Sequence, residues 1–414
     1  MTAKLPPIFH RLAGANLAAQ SAEQISLAAV PLIAVLALNA GPGEIGALAT
    51  MQTLPFLLLS IPIGLLADRV SKRRGMVAAE ALRTLAFVGL LIAALAGHLS
   101  LPLLALLGFV GATGTVGFSV AAPALVPSLV PREGLAVANG RLELARSIAF
   151  AAGPALAGAL VAWAGASPAF VLAAMLSASA LVLLLGLPDP AVIANAALAP
   201  RRHPLTELTE GAAQVWRNPL LRPMFLTAVV WNIAWFVLQA AYVPYAVRTL
   251  GLSASQVGFT LGIYGAGMVV GALAAQRVLR ALPFGLAVLL GPVVSVLAAA
   301  TMVATLAWPS GAHAGGIAAA SFFLFGVGPI IWTISSTTLR QTVTPGAMLG
   351  RVTAIFLSAN MGARPLGAAL GGWVGAAYGV QACLWLAFFG FVLQAVMIAA
   401  SAVRSLQRLP VAAV

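Results

Sequence analysis

Long apolar runs broken by short polar connectors set the organisation of this 414-residue chain. The runs predict helices near 12–38, 45–67, 75–97, 101–125, 135–163 and 167–187. After a polar interval a second set follows near 220–247, 255–279, 284–307, 313–340, 350–377 and 380–403. Each run is about 25 residues, enough to cross roughly 30 Å of hydrocarbon at 1.5 Å per residue. Outside the runs every Lys and Arg falls in alternate connectors on one side, Arg248 excepted. Basic loops stay in the cytoplasm. The expectation is therefore a multi-pass, all-α protein of a bacterial inner (cytoplasmic) membrane with both termini cytoplasmic. The first run is too long for a signal-peptide core and carries Asn16, Gln20, Glu23 and Gln24, so it reads as a retained helix.

The polar interval divides the chain into a first six-helix bundle (1–187), a cytoplasmic linker (188–219) and a second bundle (220–414). Pro188-Asp189-Pro190 stops the sixth helix. Leu205, Leu208, Ala212, Val215 and Trp216 then recur at helical spacing against Glu207, Glu210 and Arg217, the pattern of an amphipathic helix along the membrane interface. The halves repeat weakly. Leu125, Leu129, Pro131 and Leu135 match Leu339, Val343, Pro345 and Leu349 at a constant offset of 214 residues.

Composition agrees with the pattern. The chain is 61% hydrophobic and 7% charged, with a mean hydropathy of +1.03, whereas soluble domains carry about 25% charged residues. The net charge of +13 is scattered over many connectors with no continuous basic face. It reads as a topology signal and a set of anionic-lipid contacts, not as a nucleic-acid surface. The one cysteine, Cys383, lies in an apolar run, which rules out a disulfide framework.

Between the second and third runs lies a short basic hinge: Gly64, then Asp68-Arg69-Val70-Ser71-Lys72-Arg73-Arg74. This hinge resembles the signature loop of the major facilitator superfamily, with Ser71 where that family usually has Gly. Gly271 would open the counterpart loop of the second half, with Ala275 in place of Asp68. In the fifth run Gly140, Ala149, Gly153-Pro154 and Ala157-Gly158 resemble the antiporter signature of proton-coupled drug exporters. Small residues there let helices approach closely, and Pro154 allows a kink. The eighth run offers a matching surface with Gly258, Gly262, Gly267 and Gly271. Generic close packing would produce the same pattern. The stretch from Leu125 to Glu133, with Ala138-Asn139, and the stretch from Trp216 to Arg222 are similar to the enterobactin-exporter and macrolide-efflux branch of the superfamily.

Charges inside the runs are the second signal. Glu23, Glu143, Arg146 and Arg364 fall about 12–22 Å from the cytoplasmic ends. At about 2.5–3.5 kcal/mol each on insertion scales they cost roughly 10 kcal/mol together, so they face a wet cavity or one another. A carboxylate at such depth is a natural proton carrier, because leaving water favours its neutral form. Glu23 has no basic neighbour in sequence and is the first candidate. Glu143 and Arg146 are three apart on one face, so they either couple protons or neutralise each other. Arg364 either holds an anionic substrate or pairs with Glu23. Glu80 and Arg83, placed near the cytoplasmic third of the third helix, read either as a latch with Asp68, Arg69 and Arg141 or as a simple structural pair.

The resemblance implies two bundles that rock about a midplane site lined by the first, fourth, seventh and tenth helices. On those helices polar and aromatic stripes mark a cavity wall: Asn16 and Gln20, Thr113 and Thr115, Trp231, Asn232, Trp235, Gln239 and Tyr242, and Trp332, Ser335 and Ser336. A wall so rich in rings suits a bulky, partly apolar ligand.

Lys4 and Lys72 are the only lysines and neither lies in a phosphate-binding loop, which argues against an ATP-driven pump. The histidines lie far apart and form no metal motif, and no hydrolase motif is present, so an enzyme is not expected. The expectation is a monomeric secondary transporter, a proton antiporter that exports a bulky small molecule such as a siderophore, macrolide or other drug. It would use the proton gradient and no cofactor. An importer or facilitator of a small nutrient, or a non-transporting membrane partner, are the alternatives.

Overall fold

The computed structural model describes residues 5–60, 62–63, 70–131, 134–188, 204–308 and 312–410. Among them the chain is helical throughout, without a strand. The first half holds α1 (Pro7–Ala37), α2 (Pro42–Leu58), α3 (Lys72–Leu95), α4 (Leu101–Leu129), α5 (Leu135–Ala164) and α6 (Ala166–Leu185). Next comes α7 (Pro204–Arg217). The second half holds α8 (Leu221–Arg248), α9 (Ala254–Ala281), α10 (Phe284–Ala304), α11 (Ala312–Val343), α12 (Leu349–Tyr378) and α13 (Val380–Ala399).

Local chemistry explains where these helices begin and end. Pro7 stands at the start of α1, where its missing N–H would have had no helical partner. Ser71 caps α3, its hydroxyl accepting from the Arg74 N–H at 3.3 Å, so Ser in place of Gly makes an ordinary N-cap. The second run is broken within its length: α2 ends at Leu58, while Ser60, Pro62 and Ile63 are again helical and residues 64–67 lie outside the described residues. Pro62 lacks the N–H that would bond to Leu58 and so interrupts the ladder there. Gly271 does not open a loop: it lies inside α9, where a Cβ would sit 2.6 Å from the Val327 carbonyl oxygen of α11.

Among the described residues ten helices are long and apolar enough to cross a membrane. Of the other three, α2 has 17 residues, α7 has 14, and the 30-residue α12 carries Arg351, Asn360 and Arg364. With α7 set aside as amphipathic, the remaining helices match the twelve expected. Trp163, Trp308, Trp373, Tyr378 and Trp385 are exposed at or near helix ends, as in the aromatic belts of membrane proteins.

Two compact units result: Met1–Ala199 with Leu252–Gly262, and Pro200–Gly251 with Ile263–Val414. In the first, α1 packs on α5 and α6, α3 packs on α4 and α6, and α2 packs on α4. The second repeats this scheme, with α8 on α12 and α13, α10 on α11 and α13, and α9 on α11 at Gly267 and Gly271. The 214-residue offset runs through it. Pro7 and Leu221, Leu135 and Leu349, and Ala166 and Val380 open corresponding helices. The single-residue turn between α5 and α6 is Gly165, with φ +75°, and its counterpart 214 residues on is Gly379, with φ +85°. A side chain would strain both turns.

The linker helix belongs to the second unit. Val215 is buried with Leu221, Met224, Val352 and Phe356, and Glu210 pairs with Arg351 of α12. A Cβ at Gly211 would lie 3.0 Å from the Arg351 carbonyl oxygen, which brings α7 close to the start of α12.

Candidate functional site

Four helices of the first unit carry a buried polar centre. Arg83 of α3 is its hub, with 2% of its side chain exposed. It forks onto Glu80 one turn earlier: Nε donates to Oε1 at 3.3 Å, and Nη2 pairs with Oε2. Its Nη1 donates to Thr115 Oγ1 of α4 at 3.3 Å and lies 3.6 Å from Glu23 Oε2 of α1. Ser177 of α6 donates to Glu80 Oε1 at 2.6 Å, and the Thr84 hydroxyl lies 2.9 Å from that of Ser177. The guanidinium also covers the Phe118 ring at 5.5 Å. Gly114 makes room for it, since a Cβ there would lie 3.2 Å from that of Arg83.

Removing a guanidinium and two carboxylates from water is costly, and the fork and hydroxyl bonds offset that cost. With both carboxylates ionised, the Arg83 guanidinium faces two negative charges. Glu80 is wholly buried, whereas 19% of the Glu23 side chain is accessible. Glu23 is thus the carboxylate that water can reach.

The sequence-predicted residues fall into distinct settings. Glu80 and Arg83 are the ninth and twelfth of the 24 residues of α3, and the Arg83 charge faces Glu23. Glu143 and Arg146 form a two-point ion pair, Nε lying 3.1 and 3.0 Å from the two carboxylate oxygens. At 53% and 37% side-chain exposure they are surface groups of the unit, unlike Glu23. Arg141 approaches His10 at 3.5 Å, and Arg73 donates to the carbonyls of Leu184 and Leu185. Lys72 and Arg74 are exposed. Gly64, Asp68 and Arg69 lie outside the described residues, and with them the core of the expected latch.

Along the expected cavity wall, Asn16 is buried, its amide donating to the Leu142 carbonyl of α5 at 3.3 Å, and Gln20 and Thr113 are half-buried. In the second unit the aromatic stripe turns inward. Tyr242 is fully buried against Phe322 at 4.5 Å, and Trp235 is buried between Trp231, Tyr264, Phe322 and Phe325. Tyr242 and Trp235 are core residues of this bundle, not an exposed lining, because large rings at 3.6-residue spacing also fill helix interfaces. Trp231 is half-buried and donates to Ser295 Oγ at 3.1 Å. Asn232 is half-buried and bonded to the Ala228 carbonyl, and Gln239, Trp332 and Ser336 are half-buried. Arg364, also half-buried, lies over the Phe236 ring at 5.7 Å.

Within the antiporter-type motif, only part of the glycine pattern is tight. A Cβ on Gly153 would meet Gln24 Cβ at 2.5 Å, so α1 approaches α5 one residue from Glu23. A Cβ on Gly158 would meet Gly258 Cα at 2.8 Å, and one on Gly258 would meet the Pro154 carbonyl oxygen. Gly140 faces open space and packs against nothing. Ser177 escaped the sequence reading, and Thr115, expected on the cavity wall, bonds to Arg83. The one available signal was a hydroxyl within an apolar helix. Among the described residues no group of three His, Cys, Asp or Glu could hold a metal ion.

Comparison with known proteins identifies the scaffold. The family model for the Major Facilitator Superfamily matches residues 12–368. The enterobactin exporter EntS of Citrobacter koseri is 30% identical over 333 residues, covering 80% of this chain and 76% of that protein. EntS of Escherichia coli O1:K1 is 29% identical over 336 residues, covering 81% and 77%. Among solved structures, a bacterial homologue of the iron transporter ferroportin aligns with a TM-score of 0.73 at 16% identity, covering 96% of this chain and 98% of that one. The nucleoside transporter NupG aligns at 0.74 and 14% identity, covering 95% and 98%. The chain therefore belongs to the major facilitator superfamily and is a multi-pass membrane transporter, not an enzyme.

Proposed function

We propose that the protein is a proton-coupled antiporter of the bacterial inner membrane that exports a bulky small molecule of the siderophore class by alternating access. Both termini are cytoplasmic and the carrier works as a monomer. The observation that carries proton coupling is the Glu23, Arg83 and Glu80 centre, which sets two carboxylates against one guanidinium away from bulk water and leaves one of them, Glu23, within its reach. Similarity to enterobactin exporters supports export and the siderophore class. A proton from outside neutralises Glu23, which favours the state that has released its substrate there. Loss of that proton to the cytoplasm restores the charge and resets the carrier.

The test is proton movement in energised inverted vesicles, with catecholate siderophores, macrolides and cationic dyes added one at a time. A catecholate that dissipates the pH gradient with the native protein, but not with Glu23→Gln, is the expected result. Loss with Glu143→Gln instead would move the proton to α5. A panel member that is bound and carried without proton movement would replace antiport with facilitated diffusion.

A further inference from the structure

No Asp or Glu follows Glu210, although ten arginines do, so an anion that meets one of them must come from outside that stretch of chain. Seven of the ten are exposed. Of the three half-buried ones, Arg351 pairs with Glu210, and Arg340 and Arg364 lie over the rings of Phe356 and Phe236. Arg340 stands in the last turn of α11, its guanidinium carbon 4.9 Å from the centre of the Phe356 ring of α12. Phe225 of α8 packs at a steep angle to that ring. Stacking uses the face of a guanidinium and leaves its in-plane N–H groups for other bonds. The Arg340 Nε is nevertheless buried with no hydrogen-bond partner in the protein. Thr344, four residues on, is 3% exposed, and its Oγ1 also has no partner. Neither has the buried Oδ1 of Asn360, one turn beyond Phe356 on α12. Buried polar atoms are nearly always bonded, so three such atoms along one stretch of α11 and α12 need an explanation. Packing does not supply it. The positions 214 residues before Arg340 and Thr344 are Val126 and Val130, both buried in the core of the first unit.

We propose that Arg340, Thr344 and Asn360 form a capture site for an oxyanion of the exported molecule, of the catecholate class. This rests on the export reading above. A donor, a hydroxyl and an acceptor together suit a ligand that presents a charged oxygen beside a hydroxyl, as catecholates do. The phosphodiester of a lipid presents acceptors alone and would leave the Asn360 oxygen unbonded. Phe356 holds the guanidinium in place beforehand, so little freedom is lost when the oxyanion arrives. In the proposed topology this end of α11 faces the cytoplasm, where a molecule to be exported enters.

The test is equilibrium binding of 2,3-dihydroxybenzoate, and of its uncharged methyl ester, to purified protein in phosphatidylcholine nanodiscs. The native protein should bind the acid more tightly than the ester. Arg340→Gln should weaken the acid by about 10–100-fold, the range for losing a hydrogen bond to a charged group, and change the ester little. Thr344→Val should weaken the acid by a smaller factor. R340K should recover part of the loss, because the charge returns without the fork. Equal affinity of the native protein for acid and ester, or no binding of either, overturns the inference without any variant. So does an R340Q protein that loses both probes alike, which makes Arg340 a packing residue. If R340Q keeps its preference for the acid but no longer retains added cardiolipin, the site belongs to lipid and the substrate assignment falls. Failure of the functional reading looks different. Acid binding through Arg340 with no proton movement in the vesicle assay removes antiport and leaves the capture site standing. Proton-coupled export with native acid affinity in R340Q does the reverse. Circular dichroism with thermal melting establishes that each variant is folded.

Discussion

Arg73 reaches the last carbonyls of α6, and Arg11 bonds to Gly186 just beyond it at 2.8 Å. Cations at a helix C-terminus satisfy unpaired carbonyls and oppose the helix dipole, at about 0.3–1 kcal/mol each. Arg73→Ala should therefore lower the melting temperature in detergent by a small, reproducible amount, and Lys72→Ala, which removes an exposed charge, should not. The contrast separates two residues that look alike in the basic hinge. What was legible there was local: the hinge itself, though not Ser71 as a cap. Arg73 and Leu184 are 111 positions apart, so no window of sequence pairs them. The same distance problem hid the partner of Glu23. Its depth could be counted from the end of a helix, but the guanidinium beside it comes from α3. Glu80 and Arg83, three apart, were legible as a pair but not as mid-helix neighbours of α1.

Element by element, α5 carries the clearest contrast between pattern and packing. Its small residues read correctly as surfaces for close approach, yet the spacing alone could not say which of them touch. Gly158→Val should cost about 1–3 kcal/mol through overpacking against Gly258. Gly140→Ala should gain about 0.5–1 kcal/mol, since it adds helix propensity in open space. Detergent melting of the two variants gives opposite signs if the packing is right. The linker helix is a second case. Its amphipathic spacing was plain, but the spacing named no binding face, and α7 spends that face on α12 instead of lipid alone. A double-mutant cycle on Glu210 and Arg351, both partly exposed, should return a coupling of about 1 kcal/mol or less. A coupling of zero would leave the burial of Val215 as the main tie between the two helices.

Taken whole, the chain was most legible where physics acts on long stretches. Apolar length, basic asymmetry and the 214-residue echo all follow from solvation by a bilayer and from repetition of one packing scheme. The aromatic stripe of α8 was least legible, because burial in a bundle and exposure to a ligand select the same residues. Orientation is open to a direct check: fused to the C-terminus, green fluorescent protein should fluoresce and alkaline phosphatase should be inactive. The reverse pattern would invert the whole topology.

Gly114 faces the Ala79 carbonyl as Gly328 faces the Gly291 carbonyl, so in the second unit Pro292 and Ser295 take the places of Glu80 and Arg83, and this uncharged counterpart has a consequence for durability. Replacing buried ionic groups by neutral ones of similar size is often stabilising by about 1–4 kcal/mol, and the second unit already has that neutral arrangement. The first unit should therefore be the weaker half, the one whose amides exchange first on warming. Combining Glu23→Gln, Glu80→Gln and Arg83→Met should yield a carrier that melts later and moves no protons. Ruggedness and energy conversion would then be opposing demands on one small cluster, and the duplicated fold would have met them by assigning each to a different copy.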